Sequence, residues 1–138
     1  MNLQTRLNSF FLLKDRLLDP KNETLIQAKS NSYHQNSWFL PSFVDKAFEQ
    51  IATQFLNKDA LQNWVKAYPK ISDLMTQKKV GIVMAGNIPL VGFHDLLSTL
   101  IAGHTAVVKM SSKDTVGMEY IIQTLIEIEP NMFGTWKN

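Results

Sequence analysis

Apolar positions in the first half of the chain recur at helical spacing. Leu3, Leu7, Phe10, Phe11, Leu17 and Leu18 fall near one stripe, and Asp19-Pro20 stops it, since proline cannot donate to the preceding turn. A shorter helix is weakly marked over residues 23–30. Pro41 suits a first helical turn, and Val44, Ala47, Phe48, Ile51 and Phe55 follow it on one face. Asn57 is placed to cap the next helix, whose Leu61, Trp64, Val65 and Tyr68 are expected to face inward before Pro69 ends it. Aromatic side chains at this spacing are expected to be core.

The pattern changes at Val80. Residues 80–85 form a nearly continuous apolar run, as expected for a strand buried on both faces. Gly86-Asn87-Ile88-Pro89 predicts a turn, with Pro89 opening a helix that Leu90, Phe93, Leu97, Leu100 and Ile101 carry to a cap at Gly103. Residues 105–110 predict a second buried strand. After Ser111-Ser112, an apolar side made of Val116, Tyr120, Ile121, Leu125 and Ile128 marks another helix, closed by Pro130.

The fold class expected is therefore α/β. A helical region over residues 1–78 precedes a β-α-β-α unit over residues 79–138, the first half of a doubly wound, Rossmann-like cofactor domain. Two parallel strands do not make a stable open sheet alone, so a third is expected and the chain reads as truncated. The apolar edge so left invites aggregation or self-association.

Composition narrows the function classes. With 45% hydrophobic and 19% charged residues, the 138-residue chain fits a globular core rather than a disordered segment. Its 14 basic and 12 acidic side chains are scattered, with Lys78-Lys79 the one adjacent basic pair, which leaves no footprint for nucleic acid. Residues 10–13 are the longest apolar run near the amino terminus, too short for a signal peptide or a membrane span. A cytoplasmic protein is expected, and Asn22-Glu23-Thr24 reads as an accidental glycosylation sequon.

The absence of cysteine excludes disulfides and thiolate metal sites. The histidines form no metal set: His34 is expected in a polar loop, and His94 and His104 lie ten apart on either side of a helix end, the latter as a cation there. His94 and Asp95 are helix neighbours, which argues against a dyad. No G-x-G-x-x-G or G-x-S-x-G occurs. Gly81 and Gly86 have P-loop spacing, but Asn87-Ile88 stands where lysine and serine or threonine are required.

What remains is residues 81–114, and these carry a resemblance. Val80-Gly81-Ile82-Val83-Met84-Ala85-Gly86-Asn87-Ile88-Pro89-Leu90 resembles the first cofactor-domain strand and Asn-x-Pro turn of aldehyde dehydrogenases. Ala102-Gly103-His104-Thr105-Ala106-Val107-Val108-Lys109 resembles the strand that follows there. Ala85-Gly86-Asn87-Ile88-Pro89, with Gly92-Phe93-His94-Asp95 after it, looks most like the acyl-CoA reductases of the LuxC type. Trp38-Phe39 and the helix from Pro41 are similar in layout to the amino-terminal part of that group.

The resemblance implies reduction of acyl-CoA or another acyl thioester to a fatty aldehyde. Asn87 matches the asparagine that donates its amide to the substrate oxyanion; the alternative is that it only shapes the turn and caps the helix. Lys109 matches a lysine that contacts the cofactor ribose, against the alternative of a solvated lysine at a strand end. The superfamily continues Lys-Pro-Ser-Glu, and its glutamate binds the ribose hydroxyls of NAD. Here Lys109-Met110-Ser111-Ser112 puts serine in that place, and Lys109 with Lys113 favours a 2′-phosphate, so NADPH is the implied cofactor.

Such an enzyme also needs a cysteine thiolate to carry the acyl group, and this chain has none. The expectation is an amino-terminal fragment, inactive by itself. The rivals are a non-catalytic subunit that pairs with a chain carrying the missing strands, and a nonfunctional remnant.

Overall fold

Asn2 starts the first helix by accepting a 2.8 Å hydrogen bond from the Thr5 N–H through its side chain. This helix, α1 (Leu3–Leu18), buries Leu7, Phe10, Leu13 and Leu17 and ends at Asp19. Fully burying each such side chain stabilises the fold by roughly 1.5–3 kcal/mol. The computed structural model describes residues 1–73 and 76–133; residues 134–138, the end of the segment expected to lead into a third strand, lie outside them.

Helix α2 (Glu23–Gln35) is longer than the weak pattern suggested and contains His34, which was expected in a loop. Asn22 caps it, accepting from Leu25 N at 3.2 Å and donating to the Tyr120 hydroxyl at 2.8 Å. The sequon asparagine thus has a structural task. Helix α3 (Pro41–Gln50) runs into a π-helical stretch, Ile51–Phe55, in which Leu56 N donates to Ile51 O. The wider turn carries Phe55 off the stripe of Val44, Phe48 and Ile51. Its ring meets Phe93 and His94 instead, at centroid distances of 6.1 and 5.6 Å. Helix α4 (Lys58–Lys66) has the cap expected at Asn57, bonded to Ala60 N at 3.0 Å, and buries Leu61 and Val65. Tyr68, expected inward, is exposed, because it follows the last helical turn.

Two parallel strands follow, β1 (Lys79–Val83) and β2 (Thr105–Lys109), in register from Lys79 opposite Thr105 to Val83 opposite Lys109. Helix α5 (Phe93–Ile101) crosses between them, and α6 (Val116–Ile128) comes after. The class is mixed α/β, mostly helical with a small parallel sheet. Burial alternates along both strands: Ile82, Met84, Ala106 and Val108 face the core, while Val83 is 82% and Val107 50% exposed. The expectation of burial on both faces therefore fails. An apolar run shows only that its residues suit a buried strand, and the described residues supply a helical layer for one face alone.

Helix α6 packs on α1 and α2, and α1 packs on α5. The α1–α5 contact includes Arg6, whose Nε donates to Ile101 O at 3.1 Å at the carboxyl end of α5. Among the described residues, no helix is long and apolar enough to cross a membrane.

Candidate functional site at the carboxyl edge of the strands

Parallel strands deliver their following loops to one edge, and both loops here hold residues singled out from the sequence. The loop after β1, residues 84–92, contains Asn87. It does not open a helix at Pro89 as expected. Leu90 instead takes a left-handed conformation, φ 61°, and α5 begins at Phe93 with no side-chain cap. A non-glycine residue there carries strain of about 1–3 kcal/mol and persists only where its surroundings hold it.

The surroundings are specific. Leu90 is buried, and its amide donates a 2.8 Å hydrogen bond to Oδ2 of Asp114, on the loop after β2. Gly117, in the first turn of α6, leaves room for it: a Cβ there would stand 2.8 Å from Leu90 Cδ2. Gly86 lies equally close to the second loop, since a Cβ on it would come within 2.6 Å of Ser111 Cβ and 3.2 Å of Lys113 Cβ. The Ser111 Cβ cannot move by changing rotamer. Gly86→Ala is therefore expected to push the loops apart and destabilise the chain by about 1–3 kcal/mol. Urea denaturation of the variant against the parent measures this, and an unchanged midpoint would show that the loops are not in contact.

The second loop is held from the helical region. Gln35 Nε2 donates to Ser112 O at 3.3 Å and Thr115 Oγ1 at 2.8 Å, and Asn36 Nδ2 donates to Lys113 O at 3.1 Å. Lys113 N donates to Ser111 Oγ at 3.2 Å. Helix α2 thus fixes the backbone of this loop, which leaves the side chains of Ser112 and Lys113 exposed.

Asn87 is exposed and its side chain has no hydrogen-bond partner among the described residues, so it caps neither α5 nor its own turn. Lys109 ends β2 with its side chain outward and unpaired among the described residues. It borders an open depression of about 530 Å³ whose other walls include Gly81, Val83, Val107, Thr115 and Glu119. Neither Asn87, Ser112 nor Lys113 lines that depression. The structure thus brings the Asn87 turn against Ser111 and Lys113, and sets Lys109 one strand-end away.

Asp114 is the residue the sequence did not single out. It is 4% exposed, and burial pushes its carboxyl up to about 6 from an ordinary 3.8, an effect the Leu90 N–H partly offsets. A folded-state carboxyl that holds its proton more tightly contributes most to stability below about pH 4 and loses that contribution as pH rises through about 6. At neutral pH the ionised form costs global stability, as functional groups often do.

A family model described as acyl-CoA reductase (LuxC) matches residues 18–134. The chain belongs to the LuxC acyl-CoA reductase family. No curated protein and no solved structure matches it. The LuxC match takes in both loops and the helices that hold them. The family's reductase chemistry concerns an acyl substrate and a nicotinamide cofactor. Lys109 and Lys113 are exposed cations with no carboxylate paired to them among the described residues. Glu119, on the wall of the depression, is the one group there that opposes an anion.

The histidines stand apart from this site. His104 accepts from Lys78 N through Nδ1 at 3.1 Å, a bond that joins the residue before β1 to the turn after α5. His94 Nδ1 stands 3.9 Å from Asp95 Oδ1 on an exposed surface, nearer than helix neighbours were expected to come but beyond hydrogen-bond reach.

Proposed function

We propose that residues 1–138 form the amino-terminal part of an NADPH-dependent acyl-CoA reductase and hold its oxyanion donor and part of its cofactor grip. The β1-α5-β2-α6 unit is read as the opening of a Rossmann-like cofactor domain. The observation that carries the proposal is the meeting of two loops at the carboxyl edge of β1 and β2, one with Asn87, whose side chain bonds to no described residue, and the other with Lys113, which pairs with no carboxylate among the described residues.

When bound, NADPH would supply hydride to the acyl carbon. Asn87 directs its amide N–H at the carbonyl oxygen, where negative charge grows as the carbon becomes tetrahedral, and a preorganised donor stabilises that charge without reorganising. Lys109 would hold the ribose. Ser112 brings no charge near the 2′ position, and Lys113 offers a cation to a 2′-phosphate. The acyl-carrying thiolate comes from a cysteine outside these residues, because none lies within them.

The purified 138-residue chain is expected to show no acyl-CoA-dependent oxidation of NADPH, whereas the same residues joined to a cysteine-bearing segment oxidise it in proportion to acyl-CoA. Turnover by the 138 residues alone would exclude an external thiolate. A joined enzyme that used NADH in preference would overturn the cofactor assignment.

The exposure of Val83 and Val107 favours a second reading, in which the chain serves as a subunit whose open sheet face a partner or a second copy covers. Sedimentation of the purified chain distinguishes them. A concentration-dependent oligomer supports the subunit reading, and a monomer at all concentrations removes self-association.

A further inference from the structure

The Asp114 carboxylate has no task in the proposed chemistry, yet it is buried and ionisable, and it reaches across 24 residues to one backbone amide. Neutral alternatives were available to the fold. A serine or asparagine accepts the same N–H without taking a charge out of water, a burial that ordinarily costs several kcal/mol unless it is compensated. What the charge adds is a stronger bond, since a charge-assisted hydrogen bond is roughly twice as strong as a neutral one. That strength is applied at Leu90, the one non-glycine residue with positive φ among those described, three positions from Asn87.

We propose that Asp114 is a positioning residue that ties the Asn87 turn to the loop carrying Ser112 and Lys113, so that oxyanion donor and cofactor grip move as one unit. The proposal rests on the reading of Asn87 as the oxyanion donor. Its geometry has three parts: the 2.8 Å bond to the strained Leu90, the close seat of Gly86 on Ser111, and the Gly117 gap that admits the Leu90 side chain. The loop is in turn anchored to α2 by Gln35 and Asn36, so the turn is referred to the rigid helical region.

Protonation loosens this tie without necessarily breaking it, because the neutral acid still has a carbonyl oxygen to accept the Leu90 N–H. The charged groups on the elements around it are Lys109 at the end of β2, Lys113 on its own loop, Glu119 and Glu127 on α6, Glu23, Lys29 and His34 on α2, and His94 and Asp95 on α5; none is buried. Burial outweighs everything else in setting the Asp114 carboxyl, so its charge state and not theirs governs the bond.

The test uses the 138-residue chain and its backbone and side-chain amide resonances between pH 5 and 7.5. The Leu90 amide should move with a midpoint near 6, and the Asn87 side-chain amide should move with it. In Asp114→Asn, which keeps an acceptor of the same shape, the fold and the Leu90 bond should persist while both responses vanish. In Asp114→Ala, Leu90 should lose about tenfold or more of its protection from hydrogen exchange. A Leu90 amide that ignores pH in the parent chain, or titrates equally in Asp114→Asn, overturns the proposal. So does an Asp114→Ala chain with native circular dichroism in which Leu90 protection and Asn87 shifts are unchanged. None of these readouts involves turnover, so failure of the oxyanion reading is detected separately, by the kinetics of Asn87→Ala.

Discussion

Asn87→Ala, introduced into an enzyme that joins these residues to the cysteine-bearing segment, is expected to lower kcat about 10²–10³-fold. The structural cost should be small. Asn87 is exposed, bonds to no described residue and caps no helix, so its removal should change stability by no more than about 0.5 kcal/mol. That separation makes the experiment informative, because a loss of turnover with an unchanged denaturation midpoint cannot be ascribed to a damaged turn. KM for the acyl substrate should stay near its parent value, since the interaction strengthens only as charge develops on the oxygen. Turnover unchanged by the substitution would assign the oxyanion to another donor.

Ser112→Glu should redirect cofactor choice. The side chain is exposed and the loop's backbone is held independently of it, with Ser112 O bonded to Gln35. The substitution therefore adds a negative charge without moving its neighbours. A carboxylate beside a 2′-phosphate is a repulsive element of a few kcal/mol, which corresponds to about a hundredfold loss in kcat/KM for NADPH. NADH lacks that phosphate and should be affected far less. Lys109→Ala should weaken both cofactors, because ribose contact is common to them. Steady-state kinetics with each cofactor decides the matter: equal losses on Ser112→Glu would place the residue away from the 2′ position.

The candidate site was partly legible in the sequence. The strand ends beside Asn87 and Lys109 were legible, since the apolar runs stop before Gly86 and before Ser111, within two residues of the ends observed. The roles expected of Asn87 and Lys109 come from the family resemblance and not from the pattern. Asp114 and the Gln35–Asn36 anchor were not legible. A single aspartate in a polar loop is usually solvated, and only the approach of the Leu90 turn buries this one. The amides of α2 sit 77 residues from the carbonyls they hold, a pairing that no local pattern encodes.

By itself the sequence determined the local elements. Asn2, Asn22 and Asn57 cap helices because a short side-chain oxygen meets an unpaired N–H two or three residues ahead, and proline closes segments because it has no N–H to give. These are short-range effects, written in adjacent residues. Tertiary structure decided the rest. It left one face of β1 and β2 open, turned Phe55 off its stripe through a π-helical turn, and delayed α5 to Phe93 by holding Leu90 in a left-handed conformation. In each case the deciding factor lies in another element: a helical layer that covers only one strand face, the rings of Phe93 and His94, or the Asp114 carboxylate. Periodicity records which residues suit burial, but the free energy of burial is realised only against a neighbour that the chain brings from elsewhere.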